Sequence, residues 1–505
     1  MLELAKSKKI CAANWMLIAI FVFVSLFAWA LASPISSAPD GDFHMSSIWC
    51  AQGNRLGICK IVREDDSSQV ELLTPRTFSR YQNPFGYFCF TGNPSASAAC
   101  IRNVDEKSVS ELINSGRYVS GDPSKNIYYR AVSRFAEMDI DASSLKIRLT
   151  NILFFITSSA IVLGIARHRR SVFTTAYVVG LGPWGMFLIA SIHPSSWSTV
   201  LVPQFFFLLL AMFTKQTLRR LLMALSSALL IWIFAPQVRA DSKIFLIIGL
   251  LVALTHSIDF VRVLNESSNI KRALFLFVAL FFGWRYIFPL VKSFLVLPGP
   301  LKISNYMASG LDRIFFGLTN QVPNTLINLF GGNVGLGAGD TPVSELVAIC
   351  GIAAICSVAC VAYNRIRKKD YWIIFSFALL ISALILRAEL SSVGTLGRYV
   401  LPLYLMLLMT VLNSISLAND GLIFTSRRNF KFLLTIISIS NSVALHQTMR
   451  RYITGVDVIG WDLNRNAEWW WSVGPSPMTV WLVGSCAFFC AAWMIIQESQ
   501  RPEIR

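Results

Sequence analysis

Residues 14–32 read NWMLIAIFVFVSLFAWALA, nineteen positions almost without a polar side chain, and the chain then turns abruptly polar through Ser33-Pro34 to Pro39-Asp40-Gly41-Asp42-Phe43-His44. A helix rises 1.5 Å per residue, so roughly 20 apolar residues cross a ~30 Å hydrocarbon layer. Such runs recur near 149–166, 171–191, 197–213, 220–236, 243–261, 273–290, 343–363, 371–387, 398–417, 430–447 and 479–496. The expected fold is therefore an all-α integral membrane protein of about 12 transmembrane helices. With 54% hydrophobic and 14% charged residues among 505, the composition suits a membrane better than water.

The net charge of +17 is carried in short connections, not in a basic domain interleaved with aromatics, so no nucleic-acid partner is expected. Lys6, Lys8 and Lys9 begin the series, followed by Arg167, Arg169 and Arg170; Lys215, Arg219 and Arg220; Arg262, Lys271 and Arg272; Arg365 to Lys369; and Arg427, Arg428 and Lys431. Basic residues are retained on the cytoplasmic side, which puts these loops and both termini there, in a multi-pass protein of the cytoplasmic membrane. The first apolar run resembles a signal peptide, but its core is long, and keeping it preserves the alternation of sides through all the spans.

This topology divides the chain into a cytoplasmic start and first span (1–32), an extracytoplasmic loop or subdomain (33–148), spans two to seven (149–290), an external loop with a re-entrant segment (291–342), and spans eight to twelve with a short cytoplasmic tail (343–505). Cys50, Cys59, Cys89 and Cys100 fall in the first external loop, where an oxidising compartment allows two disulfides. Of the three pairings, Cys50–Cys59 and Cys89–Cys100 close the shortest loops. Free thiols are the alternative, and no Cys-x-x-Cys spacing suggests zinc.

Asp40, Asp42 and His44 bring two carboxylates and an imidazole within five residues of one another. Carboxylates take a proton from an acceptor hydroxyl or bind a divalent cation such as Mg or Mn, and a nearby His exchanges protons or contacts phosphate. Asp40 and Asp42 are thus the candidate catalytic and metal-binding pair, the bland alternative being a solvated turn. The same topology exposes His193, Arg398, Tyr399, His446, Arg450 and Arg451 on the external side. Arginines there run against the inward bias for positive charge, and a phosphate partner would account for Arg398, Arg450 and Arg451 because guanidinium binds its oxygens directly. Pairing with Glu389, Asp457 or lipid headgroups is the competing explanation. Walker P-loop, Gly-x-Ser-x-Gly and His-Glu-x-x-His motifs are absent, which leaves ATP-driven transport and zinc proteolysis without support.

Several segments together resemble the bacterial domain-of-unknown-function family 2142 of polytopic membrane proteins, in its actinobacterial form. They are Pro39-Asp40 with His44 and Ser46 to Gly53, then Cys89 to Cys100, Pro183-Trp184 through His193-Pro194, Gly397-Arg398-Tyr399 with Pro402, and Arg451-Tyr452 before Trp461. Members often read Pro-Asp-Glu-Pro-x-His at the first motif, whereas Gly41 and Asp42 stand here in place of the Glu and Pro. The family is similar in plan to GT-C glycosyltransferases. The resemblance implies an enzyme that moves a sugar from a polyprenyl-phosphate-linked donor to a cell-envelope glycan, lipid or protein, with membrane lipids around it. A flippase for lipid-linked saccharides and a non-catalytic envelope assembly protein are the other readings.

Overall fold

The computed structural model describes the chain except residues 1, 64–69, 76–89, 104–111, 115, 120, 215–216, 258–300, 304–305, 309, 333–334, 338, 364, 391–396, 420, 422, 424–425, 472–473, 499 and 501–505. The first helix, α1 (Leu2–Leu31), is followed by a short helix α2 (Gly41–Cys50) and an antiparallel sheet of β1 (Lys60–Arg63), β2 (Val70–Pro75) and β3 (Leu112–Asn114) with β2 in the middle. Lys60 pairs with Leu73, and Leu73 with Asn114 on its other side. Then come α3 (Ile127–Val132), α4 (Ile140–Ile165), α5 (Arg170–Gly180), α6 (Gly182–Ile189), α7 (Ser195–Met212), α8 (Leu218–Val238) and α9 (Ser242–Ser257). Beyond a hairpin of β4 (Leu301–Ile303) and β5 (Tyr306–Ala308), the chain forms α10 (Gly310–Phe316), α11 (Val322–Asn328), α12 (Glu345–Tyr363), α13 (Lys368–Leu390), α14 (Gly397–Ala418), α15 (Arg427–Ile453) and α16 (Pro477–Glu498).

Among the described residues, nine helices are long and apolar enough to cross a membrane: α1, α4, α7, α8 and α12 to α16. In hydrocarbon every backbone N–H and C=O must find its partner within the protein, and a helix satisfies them along its own length. The expected span at 171–191 is broken instead. α5 with the turn before it meets α6 at 97°, because Gly182 takes φ 54° and Pro183 follows at the helix start. The span expected at 243–261 is helical as α9 up to Ser257, its remainder lying outside the described residues, as does the whole of the one at 273–290. Within the loop expected to hold a re-entrant segment (291–342), residues 310–328 form α10 and α11 joined by a π-helical turn, Gly317–Gln321.

α7 and α14 are buried almost all round, whereas α8 and α13 expose most of their length. A helix surrounded by protein has apolar or small polar side chains on every face, and this is how α7 reads, from Ser195 to Met212. These two form the centre of the bundle, with α1 packed on α16 and α8 on α7 at its margins. Arg148 of α4, fully buried, donates hydrogen bonds to the carbonyls of Ala30, Ser33 and Pro34 at 2.6–2.7 Å. It thereby ties the exit of α1 to α4 and sets the path of the chain toward Asp40.

The Cys50–Cys59 disulfide is present, packed with Leu72 beneath the small sheet. Cys100 is disulfide-bonded as well; its expected partner, Cys89, lies outside the described residues.

Candidate functional site

Four helix ends carry the site. Asp40 follows α1 and immediately precedes α2, His193 precedes α7, Arg239 follows α8, and Arg398 is in the first turn of α14. Connected helices alternate in direction, so these ends meet on one face of the bundle. There Asp40, Phe43, His44, Arg117, His193, Arg239, Arg398 and Tyr399 line an open cavity of about 250 Å³.

Asp40 precedes α2 in the left-handed conformation, φ 54° and ψ 29°, and its side chain does not cap the helix. An aspartate in this position ordinarily accepts from the second or third backbone N–H of the helix. Here its carboxylate turns to two guanidiniums: Arg117 Nη2 donates to Oδ1 at 2.8 Å and Arg398 Nη2 to Oδ2 at 2.9 Å. Burial works against the ionised form, but the hydrogen bond from Arg117 and the charge of Arg398 outweigh it and hold the carboxyl below its ordinary value. Gly41 explains the departure from Pro-Asp-Glu-Pro. A Cβ there would collide with the Ser36 hydroxyl and lie 2.9 Å from both the Cα and the carbonyl oxygen of Ser36.

Asp42 is buried and does not line the cavity. Both its oxygens accept from Arg117 Nη1 at 3.1 Å, so it holds Arg117 against Asp40. The strand β3 brings Arg117 near, and Val119 N–H donates to Ser47 Oγ of α2 at 3.0 Å, pinning the segment down. The two carboxylates therefore share an arginine. Among the described residues no group of three or more His, Cys, Asp or Glu side chains converges; Asp42 and one oxygen of Asp40 are engaged by Arg117.

His44 and His193 meet edge to face with ring centroids 4.3 Å apart. His44 Nδ1 shares a 2.7 Å hydrogen bond with the Tyr129 hydroxyl. Burial pushes its pKa down to about 3, against the attraction of Asp40 and with Arg239, Arg398 and Arg117 adding to the fall. Burial likewise carries His193 well below its usual value, helped by His44, Arg398 and Arg239. His193 Nδ1 accepts from Ser195 N–H at 2.9 Å, which leaves the ring proton of the neutral imidazole on Nε2.

Arg239 pairs with Asp241 through Nε at 3.1 Å and Nη2 at 2.7 Å, donates from Nη1 to Ser195 Oγ, and lies 5.3 Å from the centre of the Tyr399 ring. Arg398 donates to Tyr399 Oη at 2.8 Å. It is only 4% exposed, yet its Nε and Nη1 have no hydrogen-bond partner among the described residues. A buried guanidinium with unmet N–H groups beside a cavity is costly unless an acceptor arrives. Three arginines thus surround one carboxylate and two neutral imidazoles, an arrangement suited to an anion bearing several oxygens.

The remaining predicted residues lie elsewhere. Arg451 donates to the carbonyls of Phe90, Ala96 and Asp340 and to Asp340 Oδ2, so it fastens two loops together. Arg450 donates to the carbonyls of Gly460 and Asp462. His446 Nε2 is 2.9 Å from the Trp461 carbonyl oxygen and its ring meets Trp481. None of the three lines the cavity. Conversely, sequence reasoning passed over Arg117, Tyr129 and Arg239. Arg239 carried a usable signal, a cation just past a span on the side where positive charge is disfavoured; Arg117 carried none, since a long polar loop tolerates arginine anywhere.

No curated protein and no solved structure matches the chain. The family described as predicted membrane protein (DUF2142) does, over residues 23–407. That stretch runs from the middle of α1 into α14 and contains every residue lining the cavity, and on this match the chain belongs to the DUF2142 family of membrane proteins.

Proposed function

We propose that the cavity is the active site of a GT-C-like glycosyltransferase, which moves a sugar from a polyprenyl-phosphate-linked donor to a hydroxyl of a cell-envelope acceptor. The reaction occurs at the outer face of the cytoplasmic membrane, with both termini of the chain in the cytoplasm. The observation that carries this reading is Arg398, buried beside Asp40 with two nitrogens that have no acceptor among the described residues.

In the reaction the acceptor oxygen forms a bond to the anomeric carbon, and the bond from that carbon to the donor phosphate oxygen breaks. The electron pair leaves with the phosphate. Arg398 and Arg239 stabilise the charge that develops there, from positions already fixed by Tyr399, Asp241 and Ser195. Asp40 receives the hydroxyl proton. Paired with two guanidiniums it is a weak base in the resting site, and its basicity rises as the donor phosphate competes for the positive charge of Arg398 and Arg117. Asp42 acts by placing Arg117, and His44, neutral, orients the acceptor.

The test is sugar transfer from radiolabelled polyprenyl-phosphate sugars in membranes containing the protein, with Asp40→Asn at matched expression. Transfer that depends on the protein and vanishes in the variant supports the reading. Movement of labelled lipid-linked sugar across the bilayer with no transfer from any donor would replace it with a flippase.

A further inference from the structure

A second cavity, about 220 Å³, lies between α1, α4, α5 and α16 and shares no lining residue with the first. Its walls include Val22, Leu26, Phe155, Phe173, Phe488 and Ile495. The Ser25 hydroxyl reaches it, buried and without a partner among the described residues. A water needs two to four polar partners to be held, and the other hydroxyls of the lining, those of Ser159, Thr174 and Tyr177, are already hydrogen-bonded to Gln204 and to the carbonyls of Arg170 and Val200. An apolar chain seated here would make dispersion contacts with side chains on all four helices.

One end of the cavity is chemically distinct. Arg170 lies there with its guanidinium 5.3 Å from the centre of the Trp15 ring, its Nε donating to the Leu163 carbonyl at 3.2 Å. Arg167, exposed, is three residues away. Arginine beside an interfacial tryptophan matches the headgroup level of a bilayer, where cations attract anionic phosphates. Trp15 stands sixteen residues before Leu31, the end of α1 that leads to Asp40, and at 1.5 Å per residue this is about 24 Å of helix. The arginine end therefore sits on the opposite side of the membrane from the candidate active site. Met16 and Ile20 on α1 and Ile161 on α4 are largely exposed apolar side chains, so the helices that wall the cavity also face lipid.

We infer that this cavity binds one acyl chain of an anionic glycerophospholipid from the leaflet opposite the active site, with the lipid phosphate at Arg170. The site is independent of the glycosyltransferase reading. Its occupant enters from the basic side of the bundle, whereas a polyprenyl donor reacting at Asp40 must present its phosphate on the other side.

The full-length protein in mild detergent would be analysed by native mass spectrometry and by thermal unfolding, with phosphatidylglycerol or phosphatidylcholine of matched chains added. Wild type should retain about one phosphatidylglycerol per chain and gain more thermal stability from it than from phosphatidylcholine. Ala491→Phe and Val22→Trp, each filling the cavity, should lower retention at least tenfold, and one folded variant suffices. Arg170→Gln should abolish the preference for the anionic lipid while still retaining lipid. Equal effects of the two lipids on wild type, unchanged retention in a folded cavity-filling variant, or displacement of phosphatidylglycerol by polyprenyl phosphate would each overturn the inference.

Discussion

Oδ2 of Asp40 and Nη2 of Arg398 lie 2.9 Å apart, although 358 residues of chain separate them. The carboxylate is partly open to the cavity, with its side chain 38% exposed, whereas the guanidinium side chain is 3% exposed. The pair thus joins a buried cation to an anion within reach of substrate. Arg398→Gln removes the fixed positive charge from the leaving phosphate, and transfer should fall by about a hundredfold or more. Lysine at this position should restore little, since an ammonium cannot reproduce the planar donor set. Steady-state transfer rates at matched protein levels check both.

Asp42 predicts a subtler phenotype. Because it contacts Arg117 and does not line the cavity, Asp42→Asn should weaken the hold of Arg117 on Asp40 without removing either. Arg117 lowers the Asp40 pKa, so loosening it raises that pKa. The acidic limb of the pH–rate profile should then shift to higher pH in Asp42→Asn, and further in Arg117→Gln. An unshifted limb in Arg117→Gln would show that Asp40 does not set it.

Buried neutral histidines make stability depend on pH in a defined direction. His44 has its pKa pushed down to about 3 from an ordinary 6.5, and His193 also lies well below that value. Below 6.5 the unfolded chain takes up protons that the folded one refuses, so stability should fall as pH drops from about 6.5 toward 3. The limiting slope is about 1.4 kcal/mol per pH unit for each histidine. Asp40, with its pKa lowered, adds loss of the same sign once pH falls through its unfolded value near 3.8. Thermal unfolding at pH 7.5 and 5.0 should show the difference, and His44→Gln should shrink it.

Gly41→Ala tests the packing at the start of α2. The added methyl meets the Ser36 backbone at 2.9 Å, and backbone cannot move aside as a flexible side chain would. A destabilisation of roughly 1–3 kcal/mol is expected, together with lower transfer because Asp40 is the adjacent residue. Unfolding measurements on Gly41→Ala beside Gly164→Ala, a helical glycine where a Cβ meets nothing within 4 Å, separate steric conflict from the general effect of replacing glycine.

The Cys50–Cys59 bridge closes a loop with a sequence separation of nine. The chain-entropy estimate for a loop of that size is about 2–3 kcal/mol. Replacing both cysteines by alanine should therefore leave the membrane helices folded but make the region around β1 and β2 more susceptible to added protease.

Much of this architecture was legible in the chain because a membrane span advertises itself. The apolar runs at 14–32, 197–213 and 398–417 correspond within a few residues to the apolar part of α1 (Ala13–Leu31), to α7 and to α14, since hydrocarbon compels both the length and the helical state. Asp40, His44, His193, Arg398 and Tyr399 were legible as a group for a related reason: each stands just beyond or at the end of such a run, and counting spans assigns it a side. The break at Gly182 was marked in the chain only by Gly182-Pro183 inside an apolar run of twenty-one residues, a pair that signals a bend but not its angle of 97°.

By itself, the sequence determined that this is a multi-span helical membrane protein and which polar residues stand at the helix ends, because burial of apolar surface and backbone hydrogen bonding act locally along each run. The tertiary structure decided which of those residues meet. It brought Arg117 and Arg239 to Asp40 and His44, and directed Arg450 and Arg451 to loop carbonyls. That choice depends on how helices distant in sequence pack and on where a loop arginine finds its counter-charge, and neither leaves a periodic mark in the chain.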